Sequence, residues 1–343
     1  MLPDNISRIL LVHQNWLGDA LFSTPAVRAI RKRYPSAHIS CLSSPRAADV
    51  WRHNAHVNEV LTVGDRKGLL SPEGGFGLWR RMAKGRYDLV IFFRRSRSRA
   101  FLAKLARIPA LAGYAASGKR SDLTHAVPLP AKTLHRIDHF LGLTQGLGIA
   151  PDGREPEYHT TKDEELSLRK ILSAEGVGES EPYAVVHAGG NWKLKRWGQE
   201  AFAEWIRSYL ASESGFVVLC GSADEAALTA KIRKEAASDR VIDLCQRTSM
   251  AQLAALLKGA RFLLSNDSGP IHLAAAQGTR ILGLYGPTDP AITGPVSSAP
   301  IRILRKDVGC DVPCYFRDCD HRVCMDLLTS AEVLSAAREL TTR

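Results

Sequence analysis

At 343 residues, with 45% hydrophobic and 24% charged side chains, the chain is long enough for two globular domains with sizeable cores. No uncharged apolar run approaches the ~18–20 residues of a membrane span, and Met1-Leu2-Pro3-Asp4 lacks the basic-then-apolar opening of a secretory signal, so the cytoplasm is the expected location. The net charge of +11 is uneven: residues 1–150 hold 23 Lys and Arg against 9 Asp and Glu, the remainder 23 against 26, which points to an acidic partner for the first half, although no nucleic-acid module accompanies the charge.

Taken in order, Arg8 to His13 reads as a strand buried on both faces, followed by a loop, Gln14 to Asp19, and a helix from about Ala20 to Tyr34 that Pro35 ends. Strands are expected at His38 to Leu42, Val57 to Val63 and Asp88 to Phe93, with a basic, glycine-rich loop over Gly64 to Gly77. Residues 148–163 read as a linker. A second alternation follows: strand Tyr183 to His187, helix Ala201 to Leu210, strand Phe216 to Cys220, a helix from about Asp224, and a short helix from Met250 to Leu257. Arg261 to Leu264 is a buried strand feeding Ser265-Asn266-Asp267-Ser268-Gly269-Pro270 and an alanine-rich helix. Ile281 to Tyr285 is the next strand. Thr329-Ser330-Ala331-Glu332 is a capping-box pattern opening a last helix with Val333, Leu334, Ala337 and Leu340 as its apolar stripe. Strand–helix alternation of this kind predicts α/β units with parallel, doubly wound sheets.

Four stretches carry chemistry. Asp19, at the start of the first helix, is either its N-cap or a general base toward an attacking hydroxyl. Arg94, Arg95, Arg97 and Arg99 follow a strand end, where they line the crevice of such a sheet or form a plain surface run. Cations at a helix start oppose the dipole, which a bound anion would relieve. Gly189, Gly190 and Asn191 offer backbone N–H groups to phosphate oxygens, and Lys195 offers a cation to a leaving diphosphate. In the Asp267 stretch, Asp267 or Ser268 caps the helix, Gly269 permits close approach, Pro270 suits the first helical turn, and His272 lies in that turn. A helix N-terminus aimed out of a strand end is a favoured anion site, though an ordinary capped turn has the same sequence. Cys310, Cys314, Cys319, His321 and Cys324 cluster too loosely for a paired zinc pattern and are taken as free thiols. Asp318-Cys319-Asp320 resembles a metal-binding Asp-x-Asp but lies away from a strand end, so no metal and no cofactor is assigned.

Together these pieces resemble glycosyltransferase family 9, the ADP-heptose:lipopolysaccharide heptosyltransferases. The resemblance is carried by Asn15-Trp16-Leu17-Gly18-Asp19-Ala20 with Ser23-Thr24-Pro25-Ala26, by Lys195-Arg196-Trp197, and by Asn266 to Ala276 with Gly286-Pro287-Thr288-Asp289-Pro290. The four-cysteine tail looks most like the heptosyltransferase II branch. The resemblance implies a GT-B fold, two Rossmann-like doubly wound domains facing across a cleft: an acceptor-binding domain over 1–155, a sugar-nucleotide-binding domain over 165–328, and a terminal helix over 329–343 that packs back on the first domain. It implies inverting, metal-independent transfer of heptose from ADP-heptose to the lipopolysaccharide inner core. Asp19 is then the base, and Gly189, Gly190, Asn191, Lys195, Asp267, Ser268, Gly269 and His272 hold the donor. Arg94, Arg95 and Arg97 meet a lipid A-linked core oligosaccharide, with peripheral contact at the inner face of the cytoplasmic membrane and no nucleic acid as partner.

This chain departs from the family at Phe93-Arg94-Arg95-Ser96, where a hydrophobic-Pro-Asn-Ser run is commoner, and at His187-Ala188-Gly189-Gly190. Alternatives stay open: a family 9 enzyme acting on a protein or another glycan, a non-catalytic nucleotide-sugar-binding protein, or an epimerase of similar architecture.

Overall fold

Short strands, most of them followed by a turn and a helix, give a chain whose paired strands all run parallel. The computed structural model describes residues 2–13, 16–63, 74–115, 122–314, 316 and 319–342. Asn15, Asp318 and residues 64–73 of the expected basic loop lie outside these. The chain divides into two units, Met1–His159 and Thr160–Arg343. No helix among the described residues is long and apolar enough to cross a membrane.

The first unit runs β1 (Arg8–Val12), α1 (Leu17–Arg33), β2 (His38–Ser43), α2 (Asp49–Arg52), β3 (Glu59–Thr62), α3 (Gly75–Gly85), β4 (Leu89–Phe92), α4 (Arg97–Leu105), β5 (Ala110–Tyr114), β6 (His125–Val127) and α5 (Arg136–Gly146). Its strands lie in the order β3-β2-β1-β4-β5-β6. The central strands β1 and β4 are apolar on both faces, as a sheet with helices above and below requires. Helix α1 starts three residues earlier than expected and runs through Pro25, whose missing N–H strands the carbonyl of Leu21. The Thr24 hydroxyl donates to that carbonyl at 2.8 Å, and the Ser23 hydroxyl to Ala20 O at 2.8 Å, so the Ser-Thr-Pro sequence repairs its own break.

The second unit runs α6 (Lys162–Ala174), β7 (Tyr183–His187), a single 3-10 turn at Lys193–Lys195, α7 (Gln199–Ser212), β8 (Phe216–Leu219), a second 3-10 turn at Ala223–Glu225, α8 (Ala226–Ala236), β9 (Val241–Asp243), α9 (Met250–Gly259), β10 (Leu263–Asn266), α10 (Gly269–Ala276), β11 (Ile281–Tyr285), α11 (Pro290–Thr293), β12 (Ile301–Arg305), α12 (Val323–Asp326) and α13 (Ser330–Thr342). Its strand order is β12-β11-β10-β7-β8-β9. Counted from the first strand of each unit, the two orders are identical. Helix α6 begins inside the stretch read as linker, on a capping box of Thr161 and Glu164.

Phe202, Trp205, Ile206, Tyr209 and Phe262 fill the core between α7 and the sheet. Helix α13 packs on α7, β11 and β12, and its stripe of Val333, Ala336, Ala337 and Leu340 is buried in the same core. The apolar face that the resemblance carried back onto the first domain is therefore occupied within the second unit.

Candidate functional site

In both sheets the strand order reverses once, between β1 and β4 and again between β7 and β10. Loops leaving the carboxyl ends of such a strand pair diverge to opposite faces and open a crevice. The stretches singled out in the sequence leave these four strands.

In the first unit, Trp16 is the N-cap of α1 and gives it no side-chain bond, so Asp19 stands in the first helical turn rather than at the cap. Its side chain is about one quarter exposed (23%) and is held by Arg136, the first residue of α5: Nε and Nη2 both donate to Oδ1, at 3.2 and 2.9 Å. The guanidinium lies 5.4 Å from the ring centre of Phe140. His13 follows β1, its ring centroid 4.1 Å from that of Trp51 and 4.9 Å from that of Phe93, and its Nδ1 3.2 Å from Ser23 Oγ. Burial lowers His13 to about 3, so the imidazole is neutral. After β4, the Ser96 hydroxyl caps α4 by accepting from Arg99 N at 3.3 Å. Arg94 is half-buried, and Arg95 and Arg97 are exposed at this strand end.

The second unit is tied more tightly. Asn266, at the end of β10, accepts from Trp197 N at 3.0 Å and donates to Ala188 O and Gly189 O at 2.8 and 3.1 Å, pinning both ends of the loop after β7. Glu225 is buried beneath that loop. Its Oε1 accepts from Gly190 N at 2.7 Å, its Oε2 accepts from Ser222 N and Oγ at 2.8 and 3.1 Å, and His187 Nε2 lies 3.4 Å away. Burial alone would raise this carboxyl. His187 and the N–H groups of Ser222 and Gly190 outweigh it and hold the group at about 2. A Cβ at Gly189 would stand 1.8 Å from Glu225 Oε1, and Gly190 has φ 146°, so both positions require glycine. The Gly190 N–H, expected to face a phosphate, is occupied by Glu225.

Lys195 Nζ donates to Asp267 Oδ2 at 2.7 Å and lies 5.9 Å from the ring centre of Trp192. Asp267 is only 4% exposed, and the buried hydroxyl of Tyr285 stands beside it. Burial first, and then the Asp267 charge, push that phenol well above its usual range. The Ser268 hydroxyl does not cap α10: it lies 3.0 Å from His187 Nδ1 and 3.1 Å from Ser265 Oγ. Gly269 opens α10, Pro270 is in its first turn, and His272, two residues further along, is buried. An open cavity of about 980 Å³ is lined among others by Asn191, Lys193, Lys195, Thr288, Asp289 and Arg322. Its size suits a nucleotide-sized ligand.

Sequence reasoning missed Arg136, His187, Asn266 and Tyr285 as site residues, and it placed Glu225, with Cys220-Gly221-Ser222 and Asp224, at a further strand end that could meet a nucleoside. Ser222 and Glu225 do form a capping box, which the Ser-x-x-Glu spacing could have revealed.

Cys310, Cys314, Cys319, His321 and Cys324 line a second cavity of about 270 Å³ that shares Leu194 and Arg322 with the first. All four thiols are free, and burial, then the neighbouring cysteines, push Cys324 up. Among the described residues no group of three or more His, Cys, Asp or Glu is placed to hold a metal ion.

Residues 76–317 match the profile of glycosyltransferase family 9 (heptosyltransferase). Over 331 residues the chain is 24% identical to lipopolysaccharide heptosyltransferase 3 of Escherichia coli, covering 94% of this chain and 96% of that protein. The solved glycosyl transferase family 9 structure from Veillonella parvula DSM 2008 has a TM-score of 0.84 at 22% identity, over 98% of this chain and 97% of its own. That of E. coli ADP-heptose lipopolysaccharide heptosyltransferase II has a TM-score of 0.78 at 22% identity, over 98% of each chain. At this identity the structural likeness speaks for the fold alone. It agrees with the α/β, doubly wound GT-B class expected from the sequence.

Proposed function

The chain belongs to glycosyltransferase family 9, the heptosyltransferases, and on that footing we propose that it transfers heptose from ADP-heptose to the inner core of lipopolysaccharide, with inversion at the sugar carbon and without a metal ion. The observation that supports this most is the pair of half-buried Lys195 with buried Asp267 at the β7/β10 crevice, beside a helix N-terminus that no side chain caps. A glycosyl diphosphate already carries a good leaving group, so the protein needs a cation and oriented N–H groups where the departing ADP gathers charge. Lys195, the first turn of α10 and Arg322 on the cavity wall are those groups. Asp267 holds Lys195 in place and accepts from a sugar hydroxyl, with His272 and Asn191 completing the donor contacts.

Asp19 takes the proton from the acceptor hydroxyl as its oxygen attacks the anomeric carbon. The new C–O bond forms as the bond to the diphosphate breaks, and the electron pair leaves with ADP. One displacement gives inversion. Arg136 aims the Asp19 carboxylate. Arg94, Arg95 and Arg97 receive the anionic groups of a lipid A-linked acceptor, which places the enzyme in the cytoplasm with peripheral contact at the inner membrane face.

The test is transfer of radiolabel from ADP-heptose to truncated lipopolysaccharide cores of defined length. Label appears in one core with the wild type and is lost with Asp19→Ala, while calorimetry shows donor binding retained. Equal turnover by Asp19→Ala overturns the base assignment. Donor binding with no transfer to any core points to a different acceptor, a protein or another glycan, or to a nucleotide-sugar-binding protein.

A further inference from the structure

We propose that the paired helices α3 and α4 are the surface by which the first unit docks on an anionic lipid bilayer, an inference that deepens the reading above because it concerns the lipid end of the acceptor. The two helices pack on each other. Helix α3 buries Leu78 and Met82, which leaves Phe76, Arg80 and Lys84 as one exposed stripe at four-residue spacing. Helix α4 buries Ala100, Leu102 and Ala103, which leaves Arg97, Phe101 and Leu105 as a second. Phe76, Phe101 and Leu105 are 51, 59 and 54% exposed, a large apolar area for two short helices to leave in water.

The charge around them is almost of one sign. Residues 74–115 hold ten Lys and Arg and a single acid, Asp88. That acid is committed elsewhere, since its Oδ2 accepts from the backbone N–H groups of Ser7 and Arg8 at 2.8 Å each. Lys104 pairs with an acid from outside the stretch, Asp122, at 3.0 Å. Aromatic and leucine side chains interleaved with exposed Arg and Lys are the composition of a surface that lies in a headgroup layer: apolar groups enter the acyl boundary while the cations meet anionic headgroups. An acidic protein surface would satisfy the charge but would not call for two aromatic rings standing out from it.

Position supports the same occupant. Helix α4 starts at Arg97, beside the carboxyl end of β4, and Leu105 is about 12 Å further along the same helix. Docking through α3 and α4 would hold the crevice residues Arg94 to Arg97 close to the headgroup plane, where the first sugars of a lipid-linked acceptor lie.

The experiment is sedimentation of the full-length protein with vesicles of phosphatidylglycerol and phosphatidylethanolamine, set against vesicles of phosphatidylcholine, with no donor or acceptor present. The wild type is expected to sediment with the anionic vesicles only. Phe101→Ser/Leu105→Ser and, on the other helix, Arg80→Gln/Lys84→Gln should each weaken that binding by at least about tenfold. Both variants should keep wild-type transfer to a short, water-soluble acceptor and lose transfer to vesicle-embedded acceptor. Equal sedimentation with both vesicle types, or unchanged binding by both variants, overturns the proposal. Self-association of the wild type that the variants abolish, without vesicle binding, assigns the surface to a second copy and also overturns it. Vesicle binding is read without chemistry, so it can fail while heptosyl transfer stands, or stand while transfer fails.

Discussion

Asn266, Glu225, His187 and Asp267 are buried at the β7/β10 crevice and bonded to one another's loops or to half-buried Lys195, whereas Arg95 and Arg97 at the β1/β4 crevice stand in solvent and Asp19 is fixed through a single guanidinium. The same strand order thus supports two kinds of site. Buried, mutually satisfied polar groups specify one geometry, at the cost of being intolerant of change. Exposed cations supply attraction with little geometry, which would suit the anionic acceptor proposed above.

The contrast can be broken at several places. The largest effect is expected at its most sharply aimed group: Asp19→Asn should lower turnover roughly 10²–10⁴-fold while leaving donor affinity unchanged by calorimetry. Loss of donor binding in that variant would erase the division of labour between the units. Next, Lys195→Met should lower turnover about 10²–10³-fold and also reduce stability, because Asp267 is left buried without its cation. Adding Asp267→Asn should restore the melting temperature but not the rate. Recovery of both would show that the pair only holds the fold.

Asn266→Ala removes three buried hydrogen bonds and should cost roughly 2–4 kcal/mol in denaturant unfolding. No single change among Arg94, Arg95 and Arg97 should approach that figure. Acid should separate the units too. His13 refuses in the folded state, at about 3, a proton that it accepts near 6.5 when unfolded. Its contribution is therefore intact above about 6.5 and shrinks as pH falls toward 3. Glu225 has the depressed carboxylate, about 2 against an ordinary 4.5, so its contribution persists down to about 4.5 and is lost toward 2. Melting temperature against pH should fall in two stages, and His13→Gln should flatten the upper one alone; an unchanged upper stage would remove His13 from the account. The smallest effect is expected at Arg95→Gln, a few-fold rise in acceptor KM that fades at high salt, with donor KM unmoved.

What could be read in the sequence follows from the range over which each cause acts. Strands β1, β4, β7 and β11 are mostly apolar runs and announce themselves, as does the apolar Phe262-Leu263-Leu264 that leads into β10. Strand β5, Ala-Leu-Ala-Gly-Tyr, has no β-branched residue, and β9 spans three residues, so both depend on neighbours for their pairing. Lys195 and Asp267 were legible because a strand, a turn and a helix fix where their side chains begin. Arg136 was not, since its partner Asp19 is 117 residues away. Glu225 was visible as a polar residue, but its contact with Gly190 exists because Gly189 has no Cβ to block it, a fact of space rather than order along the chain. Asp267 or Ser268 was expected to cap α10, but the Asp267 carboxylate takes Lys195 and the Ser268 hydroxyl lies beside His187, tertiary partners that outcompeted the local one.

The groups assigned to the attacking substrate all precede His159, and those assigned to the nucleotide all follow Thr160. A single crossover at that peptide bond would transplant one whole recognition apparatus while leaving the other intact. Chimaeras between relatives of this chain should therefore inherit their choice of glycan from one parent and their choice of activated sugar from the other, so that new linkages arise by recombination without rebuilding either half.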